Sequence, residues 1–278
     1  MSSESGSLWR RIDYGSPGRR DQPESSVHGT RHTRRVNVSI DLHCHILPAL
    51  DDGARDLDDA IAMARQAEAD GIGAICATPH IRHDHDVRIG ELPDRLAELS
   101  AALSEAGCRT RILPGAEVAA TALDGLDEPE LAACSLGGSR RWVLLEPAPG
   151  PLDDRFDAAV AALAARGRRA LIAHPERHLT ANLVERLRGL VARGALVQAT
   201  GAYLTDAAAG AGMLTLARAG VLHVLGSDAH SSRAGRPVAL AAAAQALAST
   251  EPTRTHLDWV AQTAPRAIVA GQDLAPPF

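Results

Sequence analysis

The chain has 278 residues and a mass of 29.1 kDa, enough for one large domain with a sizeable buried core. Hydrophobic residues make up 45% of it and aromatic residues only 3%, so the core must consist mainly of aliphatic side chains. The net charge is −5 and all 29 basic residues are arginines, which excludes mechanisms that need a P-loop lysine or a Schiff-base lysine.

The first 37 residues differ in composition from the rest of the chain. They are rich in Ser, Gly, Arg and Pro, carry seven arginines against four acidic residues, and have almost no periodic apolar pattern. This composition predicts a disordered or loosely docked extension. Residues 38–278 carry the net negative charge, so we expect neither a broad basic surface nor a nucleic-acid partner.

The cysteines and the apolar runs indicate the compartment. The four cysteines are widely spaced and form no CxxC pair: Cys44, Cys76, Cys108 and Cys134. Such spacing is typical of a protein in a reducing compartment. No apolar run approaches the roughly 18 residues that a membrane span needs, and the sequence after Arg11 is not an apolar signal core. We therefore expect a cytoplasmic protein without a membrane span.

From Val38 onward, short apolar runs alternate with longer Ala- and Leu-rich stretches. Seven of the short runs are predicted strands: 38–43, 73–78, 111–117, 142–147, 170–175, 195–200 and 221–228. The longer stretches are predicted helices: 56–70, 89–106, 153–166, 180–193, 206–219 and 236–248. A short element of unclear type follows the third strand. This alternation predicts an α/β fold of parallel strands with right-handed crossovers, and a length of about 250 residues favours a closed barrel over an open sheet.

Polar residues able to do chemistry follow the carboxyl ends of six of these predicted strands. In chain order they are Asp41, His43, His45, His80, Glu117, Glu146, His174, Asp228 and His230. Because the carboxyl ends converge on one face of a parallel barrel, we expect residues almost two hundred positions apart to become neighbours.

The chemistry of this set points to metal ions. A lone His-x-His pair is weak evidence, since alternate residues of any strand point the same way. Imidazole and carboxylate are, however, the ligands that Zn²⁺, Mn²⁺ and Fe accept. Five histidines and four acids on one face would repel or desolvate one another unless cations neutralised them. The set therefore predicts a metal centre.

The same residues lie in the strings DLHCHILPALDDGA, ATPH, LPGAEV, LLEP, AHPERH and GSDAH, in this order. Together these strings resemble the polymerase-and-histidinol-phosphatase (PHP) superfamily of metal-dependent phosphoesterases. They are most similar to its manganese-dependent bacterial tyrosine phosphatases of capsule and exopolysaccharide biosynthesis. HxHILP..DDGA and HPER carry the likeness to that branch, whereas HxH and DAH indicate only the superfamily. The likeness extends from about Val38 to APRAIVAG near the C-terminus.

The resemblance implies a distorted seven-stranded (β/α)7 barrel and a centre of up to three divalent ions. The first ion would be held by His43, His45, Glu117 and Asp228. Glu117 would bridge to the second ion, held by His80, Glu146 and His174. Asp52 and His230 would bind the third ion or link it to the pair. Manganese is the expected metal, with iron or zinc as alternatives.

The implied activity is hydrolysis of phosphotyrosine in a protein by a hydroxide that bridges two metals. Arg177 of HPER and Arg236 after GSDAH would bind phosphoryl oxygens through the two-pronged guanidinium group. Arg233 in the same loop competes with Arg236 for this role. The expected partner is a phosphotyrosine protein such as a bacterial tyrosine autokinase of polysaccharide biosynthesis, and the oligomeric state is left open.

Three alternatives remain at this stage. Another PHP phosphatase, or a phosphodiesterase, acting on a small ester such as histidinol phosphate would have the same metal core. A cysteine-dependent phosphatase would use a Cys-x5-Arg loop, which occurs at 76–82 and 134–140. The first pattern lacks glycine, contains Pro79 and has its cysteine inside a predicted strand, so it cannot easily wrap a phosphate. The second runs into a predicted strand and not into a helix that could lower the pKa of the thiol and bind the anion. A non-catalytic binding scaffold would be favoured only if ligand positions lacked coordinating residues.

Overall fold

The computed structural model describes residues 38–278, and the predicted extension, residues 1–37, lies outside the described residues. The described chain contains nine strands: β1 Ile40–Cys44, β2 Ala74–Ala77, β3 His80–Ile81, β4 Arg111–Leu113, β5 Glu117–Ala119, β6 Trp142–Glu146, β7 Arg169–Ile172, β8 Leu196–Thr200 and β9 Val224–Gly226. Its α-helices are α1 Leu57–Asp70, α2 Leu92–Glu105, α3 Glu128–Ala133, α4 Asp154–Ala165, α5 Leu183–Ala192, α6 Gly201–Thr205, α7 Gly210–Arg218, α8 Ala241–Leu247 and α9 Ala264–Val269.

All pairs between these strands are parallel, which confirms the predicted α/β class. Strands β1, β2 and β4 form a three-stranded sheet. The other six strands form a sheet in the order β3-β5-β6-β7-β8-β9, curled into half a barrel. A single parallel bridge between Cys44 and Ala229 joins the end of β1 to the residues that follow β9.

All seven predicted strands are found, but the second is followed by a short strand, β3, that was not predicted, and the third is split into β4 and β5. Residues 78–79 separate β2 from β3, and residues 114–116 separate β4 from β5. Each gap contains a proline, Pro79 or Pro114, which has no N–H to donate to a neighbouring strand. Both β3 and β5 begin with a predicted metal ligand, which is His80 in β3 and Glu117 in β5.

The local signals place the ends of α1 correctly. The side chain of Asp56 caps its first turn by accepting a hydrogen bond from the Asp59 amide at 2.8 Å. Gly71, with φ of 90°, ends the helix in the left-handed conformation that glycine adopts most readily. The element of unclear type after the third strand is α3, which begins with a capping box formed by Asp127 and Glu130.

Two predicted helices are wrong at their starts. The helix predicted for 206–219 begins at Gly210, and the short α6 comes directly after β8. The helix predicted for 236–248 begins only at Ala241. The amides of Leu240 and Ala241 both donate to Asp70 of α1, so a contact remote in sequence fixes where α8 starts.

A layer of leucines lies beneath the carboxyl ends of the strands. Leu144, Leu171 and Leu196 are register partners on β6, β7 and β8, and all three are fully buried. Two residues further along the same strand faces come Glu146 on β6 and Gln198 on β8. The interior therefore changes from apolar to polar within one side-chain layer, and the leucines form the floor of the polar cluster.

Truncation of the floor should destabilise the fold strongly. We expect Leu171→Ala to lower the free energy of unfolding by about 2–5 kcal/mol, because the cavity left behind cannot collapse between two fixed strands. Urea denaturation followed by circular dichroism measures this loss. Leu57→Ala is the matched control, since its side chain is 43% exposed, and it should change stability by less than about 0.5 kcal/mol. Equal losses in the two variants would contradict the importance of the layer.

Candidate metal centre

The described chain brings the nine predicted metal ligands into one cluster at the carboxyl ends of the strands. Its inner part contains His43, His45, Glu117 and Asp228, all essentially without solvent exposure. The Nε2 atom of His43 lies 3.3 Å from Glu117 Oε2 and 3.5 Å from Asp228 Oδ1. The Nε2 atom of His45 lies 3.4 Å from the same Glu117 oxygen. Donor atoms from β1, β5 and the turn after β9 thus surround one point.

Glu117 also belongs to a second group of donors. Its Oε1 atom is 2.8 Å from His174 Nε2, and its Oε2 atom is 3.0 Å from His80 Nδ1. Glu146 Oε2 lies 3.7 Å from His80 Nδ1, while Glu146 Oε1 lies 3.8 Å from His174 Nε2. Glu117 therefore lies between two sets of ligands, one on each side of its carboxylate.

A third group lies nearer to solvent. Asp52 Oδ1 is 3.5 Å from His80 Nε2 and 3.5 Å from His230 Nε2. The ring of His45 stacks on that of His230 with centroids 4.0 Å apart. The side chain of Asp52 is 55% exposed, so this group forms the outer part of the cluster.

The unpaired atoms of the cluster fit a metal-binding role. Three buried nitrogen and oxygen atoms that face other proposed ligands have no hydrogen-bond partner: His80 Nδ1, Glu117 Oε2 and Asp228 Oδ1. Glu117 Oε2 and His80 Nδ1 are close, yet they do not have the geometry of a hydrogen bond. Buried polar atoms without partners are costly, and donor atoms that meet around one point are typical of metal ligands. The imidazole and carboxylate donor set suits Mn²⁺, Fe or Zn²⁺.

Charge interactions keep the innermost carboxylates ionised. Burial alone would raise the pKa of Glu117, but the charge of His43 and the hydrogen bond with His174 hold it well below its usual range. Burial would likewise raise the pKa of Asp228, and His43 and Arg236 outweigh it and lower the pKa to about 2. The pKa of Glu146 is raised by burial and by the nearby charge of Glu117. Closely spaced carboxylates of this kind favour a bound cation.

The backbone is strained at two of the proposed ligands. His174 has φ of 33° and Asp228 has φ of 50°, a region that residues other than glycine rarely adopt. Just before Asp228, Gly226 leaves no room for a side chain, because a Cβ atom there would lie 2.7 Å from that of His43. Strain of this kind persists where surrounding structure imposes it, and it turns both side chains towards the cluster.

Two residues that orient the histidines were missed in the sequence. Gln198 Oε1 lies 3.1 Å from His43 Nδ1, and it also accepts the amide of His174 at 3.3 Å. This contact assigns the Nδ1 proton to His43 and leaves Nε2 for a metal. Gln198 sits on the inner face of β8, two residues after Leu196, and a polar residue within an otherwise apolar strand was the available signal.

Asp51, not only Asp52, takes part in the site. Its Oδ2 atom lies 2.8 Å from His45 Nδ1 and accepts the amide of His80 at 2.9 Å. Its Oδ1 atom accepts the amide of Gly53 at 2.9 Å. These bonds lower the pKa of Asp51 despite its burial. Asp51 therefore orients one histidine and fixes the start of the strand that carries another, while the neighbouring Asp52 faces the outer group.

Asp41 has a supporting place. Its Oδ1 atom accepts the amides of His43 at 3.1 Å and Ser227 at 2.9 Å, so it ties β1 to the turn that carries Asp228. Its side chain is fully buried, and burial raises its pKa to about 6.

Three arginines border the mouth of the cluster. A cavity of about 330 Å³ is lined by Asp52, His80, Arg82, Arg177, His230, Gly235 and Arg236. Arg177 and Arg236 each place a terminal nitrogen 2.9 Å from the same oxygen, Asp228 Oδ2. Arg233 is not among the lining residues and instead lies 3.4 Å from Asp56, the residue that caps α1. Arg82 stood out in the sequence only as the last residue of a Cys-x5-Arg pattern, and its terminal nitrogen lies 3.2 Å from Glu146 Oε1.

The cysteines are poorly placed to act as nucleophiles. Cys76 lies within β2 and Cys134 at the end of α3, and neither has any solvent exposure. Burial raises the pKa of each thiol to about 12. At neutral pH both thiols therefore stay protonated, and the structure does not favour a Cys-x5-Arg mechanism.

Comparison with known proteins agrees with this geometry. The family described as "Capsular polysaccharide synthesis, CpsB/CapC" matches residues 39–265. The chain belongs to the CpsB/CapC family. It is 34% identical over 206 residues to tyrosine-protein phosphatase YwqE of Bacillus subtilis (strain 168), covering 69% of this chain and 77% of that protein. It is 28% identical over 200 residues to CapC of Staphylococcus aureus, with the same coverage of each chain.

The fold of this CpsB/CapC chain is also similar to a solved structure of the family. The match is to a crystal structure from work on YwqE of Bacillus subtilis and CpsB of Streptococcus pneumoniae, which are described as metal-dependent tyrosine phosphatases. The TM-score is 0.70 at 28% identity, and the match covers 84% of this chain and 95% of the other. Separately, none of the helices within residues 38–278 has the length and apolar character to cross a membrane.

We expect Gln198→Leu to weaken manganese binding by about 10- to 100-fold, because the acceptor that orients His43 is lost. Calorimetric titration of the metal-stripped protein with Mn²⁺ measures this change. Gln198→Glu keeps an acceptor oxygen at the same place and should retain most of the affinity. If both variants bound Mn²⁺ as the unaltered protein does, Gln198 would have no role in orienting the ligand.

Proposed function

We propose that this chain is a metal-dependent protein tyrosine phosphatase of polysaccharide biosynthesis. The observation that carries the proposal is the cluster of five histidines and four carboxylates, with Arg177 and Arg236 at the mouth of its cavity. The family and the 34% identity to a tyrosine-protein phosphatase support phosphotyrosine as the substrate.

Three groups of residues would hold divalent ions. The inner pair would be held by His43, His45, Glu117, Asp228, His80, Glu146 and His174, with Glu117 shared. Asp52 and His230 would hold the outer ion. When bound, such ions lower the pKa of water towards neutrality and neutralise phosphoryl oxygens. We propose Mn²⁺ as the metal, with iron and zinc as the alternatives to test.

The two arginines would bind the phosphate. Arg177 is 40% exposed and Arg236 is 23% exposed, so both are at the boundary between the buried cluster and solvent. Their guanidinium groups converge on Asp228 Oδ2, and each carries several N–H donors in one plane. A phosphoryl group entering this cavity would meet both guanidinium groups, which match two of its oxygens at once.

Departure of a tyrosine leaving group requires little protonation by the protein. A tyrosine hydroxyl has a pKa of about 10, well below that of an alkyl alcohol, so its departure needs less help from a protonated side chain. Among the described residues that line the cavity, three are arginines and two are histidines, and the one acidic residue, Asp52, is a proposed metal ligand. An aryl phosphate therefore suits this site better than an alkyl phosphate.

The strand arrangement supports a barrel. If β2 and β3 are counted as one strand, and β4 and β5 as another, the nine strands occupy seven positions. The bridge from Cys44 to Ala229 brings the first and last positions together. We therefore propose a distorted (β/α)7 barrel of the PHP type over residues 38–278, with residues 1–37 as a separate extension.

The proposed partner is a phosphotyrosine protein, with a bacterial tyrosine autokinase as the candidate that the family's role in capsule synthesis suggests. We propose the cytoplasm as the compartment, where four free thiols are typical.

Removal of metal should abolish the activity. We expect a chelator to stop hydrolysis of a phosphotyrosine peptide and Mn²⁺ to restore it, because the nucleophile depends on the ions. Alkylation of thiols should leave the rate largely intact. Phosphate release in the presence of chelator, combined with loss of activity in Cys134→Ser, would instead support a cysteine nucleophile. A parallel assay with histidinol phosphate and a phosphodiester separates the tyrosine phosphatase from the other PHP activities.

Substitution of the arginines separates phosphate binding from metal binding. We expect Arg177→Lys and Arg236→Lys each to lower kcat/KM by roughly 30-fold, about 2 kcal/mol, because a point charge does not reproduce the planar fork. Metal content should not change. Arg233→Lys is the control in the same loop and should behave as the unaltered protein. Normal kinetics of Arg177→Lys, or a loss confined to Arg233→Lys, would contradict the assignment.

A further inference from the structure

A buried acidic residue of α1, Asp59, has no part in the proposed chemistry. Its Oδ1 atom accepts hydrogen bonds from the amide of Ser232 at 2.9 Å and from its hydroxyl at 2.5 Å. Its Oδ2 atom accepts the hydroxyl of Ser231 at 2.9 Å and the amide of Arg55 at 3.4 Å. Three of its four donors therefore come from the two residues that directly follow His230.

Two more side chains of α1 contact the same segment. Gln66 donates to the carbonyl of Ser232 at 3.1 Å and accepts the amide of Val238 at 3.2 Å. Asp70 accepts the amides at 240 and 241, at 2.5 Å and 2.9 Å. Gln66 and Asp70 follow Asp59 by seven and eleven residues, which is about two and three helical turns. The three side chains therefore lie on one face of α1.

We call residues 231–240 the rim loop. It lies between β9 and α8 and contains no regular helix or strand. The rim loop, which lies within the described residues, has a single hydrogen bond between its own backbone atoms, from the amide of Ala239 to the carbonyl of Pro237. Several of its other amides are satisfied by the side chains of α1. Backbone groups must find partners when buried, so α1 provides the bonds that an irregular loop cannot make for itself.

The rim loop determines where two proposed site residues point. His230 directly precedes the loop, and Arg236 is part of it. The Nε atom of Arg236 donates to the carbonyl of Asp228 at 2.8 Å, and one terminal nitrogen lies 3.4 Å from His230 Nδ1. Displacement of the loop from α1 would therefore move the guanidinium group away from the mouth of the cavity.

We propose that Asp59, assisted by Gln66 and Asp70, is a positioning residue that holds the rim loop against α1. It thereby keeps Arg236 directed at the bound phosphate and His230 directed at the outer group of metal ligands. The proposal rests on the function proposed above, because it assigns Arg236 to phosphate binding. It also explains why polar side chains occupy a face of α1 that packs against the rest of the protein.

The charge of Asp59 suits this role. Burial would raise its pKa, but the hydrogen bonds from Ser232 and Ser231 outweigh burial and lower the pKa to about 2. The carboxylate is thus ionised at neutral pH, and hydrogen bonds to an ionised acceptor are stronger than those between neutral groups.

The test compares Asp59→Asn with Asp58→Asn. Both variants remove one negative charge from the first turn of α1, but the side chain of Asp58 is exposed. Hydrogen–deuterium exchange of the manganese-loaded protein reports on the rim loop, and 4-nitrophenyl phosphate reports kcat and KM. For Asp59→Asn we expect faster exchange within 231–240 and a kcat/KM lower by about 10- to 100-fold. Asp58→Asn should match the unaltered protein in both measurements.

Two results would overturn the proposal. In the first, exchange of the rim loop is the same in both variants. In the second, exchange becomes faster in Asp59→Asn but kcat/KM stays unchanged, so the loop is held without consequence for phosphate. If the unaltered protein hydrolysed no phosphate ester, the proposed function would be refuted. Hydrogen–deuterium exchange does not depend on activity, so it would still test whether Asp59 holds the rim loop against α1.

A variant on the loop side covers the case in which Asp59→Asn does not fold. The double substitution Ser231→Ala and Ser232→Ala removes two hydroxyl donors and leaves α1 intact. We expect this double variant to have a lower kcat/KM, as for Asp59→Asn, and an almost unchanged Tm. Unchanged kinetics in a variant whose rim loop exchanges faster would contradict the positioning role.

Discussion

The structure depends on a buried carboxylate surrounded by imidazoles. Glu117 has no exposed surface, and its two oxygens lie between 2.8 and 3.4 Å from ring nitrogens of four histidines. An unpaired carboxylate at this depth would be strongly unfavourable, and so would several histidines packed together without an anion. Each type of group makes the burial of the other tolerable, and both together suit metal ions. The four histidines come from three distant parts of the chain, around residues 43–45, 80 and 174, which the parallel arrangement of strands brings together.

The surrounding structure has the rigidity that such a centre requires. Below it, the leucine layer of β6, β7 and β8 fixes the spacing of the strands that carry Glu146 and Gln198. Beside it, Asp51 and Gln198 bond the Nδ1 atoms of His45 and His43, so each ring keeps one orientation. Above it, the rim loop is tied to a helix. Precise placement of ligands and donors therefore comes from three directions, and each is built from a different kind of interaction.

Much of the site could be predicted because its residues follow strands with a regular pattern. The alternation of apolar runs and helical stretches placed His80, Glu117 and Glu146 near the ends of predicted strands, although His80 and Glu117 begin the short strands β3 and β5 in the structure. The rim loop could not be predicted, since Pro237 and the Ala-rich sequence after it resemble the start of a helix. Asp70 captures the amides of Leu240 and Ala241 from another helix, and local sequence contains no sign of that contact.

The sequence by itself determined the fold class, which follows from periodicity, and the set of residues able to bind metal, which follows from the chemical type of each side chain. The family followed from the resemblance of its motif strings to known proteins. Only the tertiary structure decided that Asp51 orients the ring of His45 while the neighbouring Asp52 faces the outer group of ligands. It also decided that Arg236, and not Arg233, lines the cavity. Neighbouring residues of the same type are equivalent in a sequence. They become different when the fold gives one of them a buried partner and leaves the other exposed, and that partner comes from a distant part of the chain.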